Sequence, residues 1–160
     1  MAEPGLVADC VKAMQDATHL PVTIKHRVGI DANNDYGFVR DFVGTLFNAG
    51  VRVFIVHARN AWLKGLSPKE NREIPPLRRE VVYQLKKDFP EAIIVINGAL
   101  QDLGECEAEL KHVDGVMLGR PLITHRGFSL YVDARLYNDE HAPVTRDRVI
   151  DASEEYVRFS

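Results

Sequence analysis

Four short apolar runs, each followed by charged residues or glycine, constrain the fold of this 160-residue chain more than any other feature. They predict β-strands at residues 22–24, 53–57, 92–96 and 114–120. Segments with apolar residues at helical spacing lie between these runs, so strands and helices alternate. This alternation is typical of a parallel sheet joined by right-handed helical crossovers. We therefore predict an α/β fold.

Apolar spacing and capping residues locate the helices between and beyond the strands. The predicted helices are 3–17, 36–48, a segment from Pro75-Pro76 to Phe89, a short helix after Asp102, 128–137, and a last helix capped by Thr145 and Asp147. Glu105 lies at the capping-box position relative to Asp102. In the helix over 128–137, Leu130 and Tyr131 are expected to face inward.

Composition limits the class of protein. A hydrophobic content of 46% is enough for a core, and a net charge of −3 argues against nucleic-acid binding through bulk charge. Cys10 and Cys106 are too few for a disulfide framework, and we expect both to be packed hydrophobes on helices. No segment has the hydrophobicity of a signal peptide or membrane span, so we expect a cytoplasmic protein.

Polar residues gather where the four predicted strands end. The residues concerned are Lys25 and Arg27, His57 and Arg59, Asn97 and Gly98, and Gly119 and Arg120. Because parallel strands share one rim at their carboxyl ends, we expect a common pocket. Cations and glycine turns beside helix N-termini suit a phosphate group. The spacing of the two glycine turns fits the last two strands of a β/α barrel, although either turn alone has no ligand specificity.

The loop after His57 is rich in cations and starts with Trp62. Its cations are Lys64, Lys69, Arg72, Arg78 and Arg79. Two interpretations stay open on this pattern alone: a solvated basic surface, and contacts to an RNA phosphate backbone. The histidines outside the strands lack the spacing of metal ligands, so no metal site is predicted.

Four motifs together resemble a known family. They are VTIKHRVGID, FIVHARNAWLKGLSPKENREIPPL, VINGA and DGVMLGR. In this order and spacing they are similar to the flavin-dependent tRNA-dihydrouridine synthases, within them the bacterial synthase A class. The resemblance implies a TIM (β/α) barrel that binds FMN and uses NADPH to reduce uridine to 5,6-dihydrouridine in tRNA. It also implies two regions: residues 1–122 as the second half of that barrel, with about four parallel strands, and 123–160 as the start of a helical tRNA-binding region.

The resemblance also implies roles for single residues. Lys25 and His57 would contact the isoalloxazine ring, where positive charge stabilises the anionic reduced flavin. The phosphate side of FMN would be held by Asn97, Gly98, Ala99, Gly119 and Arg120. Lys69 and Arg72 match positions that contact tRNA, so the resemblance favours the RNA interpretation of the basic loop.

Three departures from the family pattern shape the expectations. Ala99 replaces a second glycine, so we expect either a negative φ there or a shift of the loop. PLITHRGF differs from the tyrosine- and proline-containing sequence expected after Gly119-Arg120. The family's four upstream strands, with the cysteine that protonates uracil, have no counterpart. We therefore expect a fragment without a catalytic residue, inactive alone and self-associating through its open sheet edges.

Two other function classes fit parts of the pattern. A small flavodoxin-like domain that binds a phosphorylated ligand or a protein partner, without catalysis, has a similar strand count and polar rim. A phosphate-binding barrel of metabolism shares the two glycine turns but leaves SPKENR unexplained. Bound flavin would separate the first of these from the synthase interpretation.

Overall fold

The computed structural model describes residues 1–124, 127–139 and 144–157. Its internal contacts divide the chain into two units. The first contains Met1–Ala99 and Ala108–Met117, and the second contains Leu100–Glu107 and Leu118–Ser160. The predicted boundary between a half-barrel and a tRNA-binding region after residue 122 stays a prediction.

A four-stranded parallel sheet forms the centre of the first unit. Its strands are β1 (Ile24–Ile30), β2 (Val53–Ala61), β3 (Ile93–Asn97) and β4 (Gly115–Met117). They lie side by side in chain order, β1-β2-β3-β4. A doubly wound sheet reverses its strand order at a switch point, whereas successive strands of a β/α barrel are neighbours throughout. The structure therefore confirms the α/β class as part of a barrel and does not support the flavodoxin-like alternative.

Helices of the first unit cover one face of this sheet. They are α1 (Pro4–Ala17), α2 (Tyr36–Asn48) and α3 (Arg79–Asp88), and a 3₁₀ turn spans Glu70–Arg72. The core between helices and sheet is fully buried and apolar: Val39, Val43, Leu46, Phe54, Val56, Val82, Leu85, Ile94 and Ile96. Because side chains alternate along a strand, the opposite face carries the neighbouring residues, including Lys25, His57 and Asn97. One face therefore stabilises the unit while the other is available for a site.

Two strands are longer than predicted and one is shorter. Lys25, His26 and Arg27 lie inside β1, and β2 continues through His57 to Ala61. Charged side chains do not end these strands because the backbone still pairs, with Arg27 opposite His57 and Ile30 opposite Ala61. β4 ends at Met117, before the Gly-Arg turn.

α4 (Leu103–Glu109) contains residues of both units. Asp102 Oδ1 accepts a hydrogen bond from Glu105 N at 2.8 Å, and Glu105 Oε2 accepts one from Gln101 N at 3.0 Å. The predicted cap at Asp102 is confirmed. The Glu105 carboxylate bonds to the amide of Gln101, one residue before Asp102, whose amide is the partner expected in a capping box.

The second unit continues with short helices. They are α5 (Arg120–Thr124), a 3₁₀ turn at Phe128–Tyr131, α6 (Val132–Leu136) and α7 (Arg146–Val157). Thr145 Oγ1 accepts a hydrogen bond from Arg148 N at 3.4 Å, as expected of the cap of α7. Tyr131 is 52% exposed, so its predicted inward orientation is wrong, because the 3₁₀ turn changes the side-chain spacing. Two of the histidines considered above as possible metal ligands, His125 and His141, lie outside the described residues.

The two cysteines differ in environment. Cys106 is buried, which raises the pKa of its thiol and confirms a structural interpretation. Cys10 is exposed, contrary to the predicted packing. Val11 is the buried residue of α1, because this helix packs against α2 along a narrow stripe.

Among the helices in the described ranges, none is long and apolar enough to cross a membrane.

His26 belongs to the apolar core. Its ring is 7% exposed and lies edge-on to Phe42 and Phe54, with centroid distances of 5.2 and 6.2 Å. Nδ1 is 2.8 Å from the Arg27 carbonyl oxygen, so Nδ1 carries the proton in the neutral ring. Nε2 is buried among apolar groups without a hydrogen-bond partner. This burial lowers the pKa of His26 from 6.5 to about 4.

Acid should therefore destabilise the fold through His26. The unfolded chain takes up a proton near pH 6.5, whereas the folded chain resists it until about pH 4. The free energy of unfolding should fall across this window by up to about 3 kcal/mol, at about 1.4 kcal/mol per unit of pKa difference. Urea denaturation at a series of pH values measures this slope.

His26→Leu should reduce the pH dependence of the free energy of unfolding between about pH 6.5 and 4, since the unfolded variant has no imidazole at position 26 to take up a proton. His19→Gln provides the matched control because His19 is an exposed loop residue. Equal slopes in the two variants would contradict the assignment to His26.

Candidate functional site

A pocket of about 660 Å³ opens on the sheet face opposite the helices. Its walls are Lys25, Arg27, His57, Ala61, Trp62, Leu63, Leu66, Pro68, Asn71, Arg72 and Asn97. Three of these residues, Lys25, Arg27 and Arg72, have basic side chains and none is a carboxylate. Apart from Ala61 at the end of β2, the apolar and aromatic members come from the loop after β2. This combination favours a ligand that carries negative charge and an apolar ring.

A chain of hydrogen bonds crosses the strand ends on this face. Lys25 Nζ donates to Asn97 Oδ1 at 3.0 Å, and Asn97 Nδ2 donates to the Met117 carbonyl oxygen at 2.8 Å. The Asn97 amide is oriented by both partners, because its oxygen accepts from Lys25 while its nitrogen donates to β4. Partial burial and the nearby Arg27 lower the pKa of Lys25. A bound anion would offset this repulsion.

His57 lies against Gly98 at the next strand end. A Cβ at position 98 would come within 2.7 Å of His57 Cδ2 and 3.1 Å of His57 Nε2. Gly98 also has a φ of +122°, which favours glycine. His57 is 8% exposed and lines the pocket. A residue without a side chain at position 98 thus allows the imidazole to occupy this place.

Ala99 adopts a φ of +54°, so the first of the two expected alternatives, a negative φ, is wrong. The left-handed conformation costs a non-glycine residue roughly 1–2 kcal/mol. The turn after β3 keeps two successive residues at positive φ although the second is alanine. Backbone geometry at this turn is therefore maintained at a conformational cost.

Arg27 connects the sheet to the loop that walls the pocket. Its Nη1 donates to the Asn60 carbonyl oxygen at 3.1 Å and to the Asn71 carbonyl oxygen at 2.8 Å. Burial, with the charges of Arg59 and Arg72, lowers the pKa of Arg27. Arg27 therefore has a structural role in addition to its charge.

The loop itself is closed by side-chain contacts to its backbone. Asn71 Oδ1 accepts from Trp62 N at 2.7 Å, and Asn71 Nδ2 donates to Trp62 O at 2.8 Å. Ser67 N donates to Glu70 Oε2 at 2.7 Å, and Glu70 N donates to Ser67 Oγ at 3.2 Å. These reciprocal bonds form a capping box on the 3₁₀ turn. The loop is thus an ordered element of the site.

Asp31 anchors the start of the loop. Its Oδ1 accepts a hydrogen bond from Leu63 N at 2.8 Å, and its own N donates to Ala61 O at 2.6 Å. Asp31 has a φ of +50°, which aspartate adopts more readily than most residues.

A bulge in β2 directs Arg59 away from the pocket. Arg27 pairs with His57 and Gly29 pairs with Asn60, so β2 has one extra residue between these pairs. Arg59 is 9% exposed and its guanidinium donates to the Pro75 carbonyl oxygen. The prediction that Arg59 joins the shared rim is therefore wrong, because the bulge interrupts the alternation of side chains.

The predicted site residues are only partly brought together. Lys25, His57 and Asn97 line the pocket, and Gly98 contacts His57. Arg72 also lines it, whereas Lys69 is an exposed residue at the start of the 3₁₀ turn. Gly119 and Arg120 belong to the second unit, where Arg120 begins α5. The ligand roles of all these residues stay predictions.

Sequence reasoning missed several residues of the pocket wall. Arg27 was recognised as a cation of the strand end but not as a brace, although its position two residues after Lys25 places both on one face. The Ser67-x-x-Glu70 spacing signals the capping box. The pairing of Asn71 with Trp62 has no signal in the sequence, since it joins residues across a loop.

Residues 1–133 match the family described as dihydrouridine synthase. A Pseudomonas putida protein named tRNA-dihydrouridine(20/20a) synthase is 50% identical over 157 residues, which cover 98% of this chain and 47% of that relative. A Synechocystis protein of the same name is 49% identical over 157 residues, with the same coverage.

An Escherichia coli relative with that name is 47% identical over 158 residues, covering 98% of this chain and 48% of the relative. The chain therefore spans about half the length of the curated relatives it matches.

Two glycine variants test the contact between Gly98 and His57. Gly65 has a φ of +84° with nothing near its Cβ position, so Gly65→Ala measures the conformational penalty alone, about 1–2 kcal/mol. Gly98→Ala adds the clash with His57, so it should cost about 1–3 kcal/mol more. Urea denaturation measures both costs.

Histidine NMR provides an independent readout. Gly98→Ala should move the His57 ring resonances, whereas Gly65→Ala should leave them in place. Equal destabilisation by the two variants, with an unchanged His57 spectrum, would contradict the proposed contact.

Proposed function

Because the chain belongs to the dihydrouridine synthase family, we propose that its first unit is the FMN-binding part of an oxidoreductase that reduces uridine to 5,6-dihydrouridine in tRNA, with NADPH as reductant. The observation that carries this proposal is the pocket, which combines Lys25, Arg27 and Arg72 with an apolar loop wall and no carboxylate. FMN has matching parts, a planar ring and a phosphate. The predicted region 123–160, as the start of a tRNA-binding region, belongs to the same proposal.

The pocket residues fit FMN in charge and in shape. Lys25 donates a hydrogen bond to Asn97, and both Lys25 and His57 line the pocket. The Lys25 and His57 side chains, on the neighbouring strands β1 and β2, therefore face the same pocket. The contact between His57 and Gly98 keeps the imidazole near the turn after β3. We assign Lys25 and His57 to the isoalloxazine ring, and Asn97, Gly98, Ala99, Gly119 and Arg120 to the phosphate side.

Bound FMN supplies the hydride transfer that connects NADPH to the uracil ring. The residues of this chain provide position and charge. Asn97 holds the Lys25 side chain, which would place a positive charge beside the ring. Arg27 holds the loop through the Asn71 carbonyl oxygen, and the apolar side chains of this loop line the pocket.

Reduction of uracil also requires a proton donor, which we do not assign to the described residues. Cys10 lies in α1 and Cys106 in α4, so neither follows a strand of the sheet. Cys106 is also buried, so its thiol is not accessible to a uracil ring. We therefore propose that the catalytic acid is not one of the two cysteines of this chain.

Lys69 and Arg72 are the proposed contacts to tRNA phosphates. Both belong to the ordered loop, and both are exposed. Arg72 also lines the pocket, so it lies where substrate and cofactor would meet. Lys69, one turn earlier, would contact the RNA backbone alone.

The FMN proposal predicts a specific effect of removing the Lys25 charge. Lys25→Met should weaken FMN binding about tenfold or more, the cost of a lost hydrogen bond to a charged group at roughly 1.5–3 kcal/mol. Quenching of flavin fluorescence on titration measures the dissociation constant. Lys12→Met is the matched control, since Lys12 is an exposed residue of α1 paired with Asp16. Equal affinity in both variants would contradict the assignment.

The proton-donor proposal predicts that the chain alone forms no dihydrouridine. Incubation with FMN, NADPH and an unmodified tRNA transcript should leave uridine unchanged by mass spectrometry of nucleosides. Addition of the remaining part of the Pseudomonas putida relative should restore product. Dihydrouridine formation by the chain alone, abolished by Cys10→Ser or Cys106→Ser, would show that the acid is in this chain.

A further inference from the structure

Trp62 is an exposed aromatic residue at the edge of the pocket. It is the single tryptophan of the chain, lies directly after β2, and is 41% exposed. Leu63 beside it is 69% exposed, and both line the pocket. Large apolar side chains that share an exposed surface often mark a binding site.

The backbone that carries Trp62 is fixed on both sides. Asn71 bonds to the amide nitrogen and the carbonyl oxygen of Trp62, at 2.7 and 2.8 Å. Asp31 accepts from the next amide, that of Leu63, at 2.8 Å. Arg27 in turn holds the Asn71 carbonyl oxygen. An exposed ring on a fixed backbone loses little conformational entropy when it binds a partner.

The charges around Trp62 indicate which partner suits it. Lys64, Lys69 and Arg72 lie on the same loop, and the pocket has no carboxylate. A partner that offers flat rings at intervals along a chain of phosphates matches both features. Single-stranded RNA has this chemistry, because unstacked bases pack on aromatic side chains while cations contact the backbone.

Trp62 lies at the exposed edge of the pocket that it shares with the residues assigned to the cofactor. It follows His57 by five residues, which span at most roughly 16 Å at about 3.3 Å per residue. His57 is buried whereas Trp62 is exposed. An RNA base arriving from solvent would therefore meet Trp62, whereas the ring of the cofactor would lie against Lys25 and His57.

We propose that Trp62 is a stacking platform for an unpaired base of the RNA substrate, and that Asn71 and Arg27 are positioning residues for it. This inference rests on the proposed function, which it extends by naming how the substrate is recognised. It assigns a binding role to Trp62 and no chemical step.

The single tryptophan allows a direct test by intrinsic fluorescence. The probes are a short oligouridylate and an abasic ribose-phosphate oligomer of equal length and charge. Oligouridylate should quench Trp62 fluorescence, whereas the abasic oligomer should bind through the cations with little quenching. Quenching to the same extent by both oligomers would overturn the proposal.

Variants of Trp62 separate stacking from charge. Trp62→Ala should weaken oligouridylate binding about tenfold or more, the loss of one base–aromatic stack, and should leave binding of the abasic oligomer unaffected. Trp62→Phe should keep most of the affinity. Fluorescence anisotropy of a labelled oligomer measures these constants. Unchanged oligouridylate affinity in Trp62→Ala would overturn the stacking role.

Asn71→Ala tests positioning with a readout that a purely structural role would not move. Time-resolved anisotropy should show a more mobile Trp62, and oligouridylate affinity should fall while affinity for the abasic oligomer is retained. An equally rigid Trp62 with unchanged affinity would overturn the positioning role.

Two outcomes distinguish this inference from the proposed function. If oligouridylate and the abasic oligomer bind, FMN binds, and Trp62→Ala changes neither oligomer, the stacking inference fails while the function stands. If neither oligomer nor FMN binds at low salt, both fail together. If FMN alone quenches Trp62 and Trp62→Ala weakens FMN binding, the ring contacts the cofactor and the inference is overturned.

Discussion

The register of the parallel sheet is the constraint on which the rest of the structure depends. Arg27 pairs with His57, and His57 pairs with Asn97, so polar side chains of three successive strands lie in one row. Val56 and Ile96, which directly precede His57 and Asn97 in their strands, lie on the opposite face of the sheet, against the helices, and are fully buried. A shift by one residue in any strand would exchange the two faces, placing charges in the core. The apolar core and the polar pocket are thus consequences of one pairing.

The cations of the pocket also determine its structure. Lys25 is held by Asn97, and Arg27 bonds to the backbone of both β2 and the following loop. Partial burial lowers the pKa values of both side chains, and repulsion adds to this effect, from Arg27 on Lys25 and from Arg59 and Arg72 on Arg27. The protein therefore maintains positive charge at a cost that a bound anion would relieve. This accords with a family whose proposed cofactor carries a phosphate.

The sequence predicted the fold well where local patterns are strong. The bounds of α2 agree with the prediction, and the order of helices and strands is as expected. The predicted ends of β1 and β2 are too early, because charged residues such as Lys25 and Arg27 remain paired within a strand. The predicted place of Arg59 at the rim depends on an unbroken alternation of side chains. The bulge that redirects it depends on how two strands pair, which neither strand encodes alone.

The sequence by itself determined the family, the parallel α/β class and the presence of Lys25, His57 and Asn97 near one rim. These depend on local periodicity and on motifs that are contiguous in the chain. Tertiary structure alone decided that Asn71 holds Trp62, that Asp31 holds Leu63, and that Ala99 has a positive φ. Each of these depends on how segments fold back on one another. Local sequence preferences do not specify such contacts, because the free energy that selects them comes from the packed sheet and loop together.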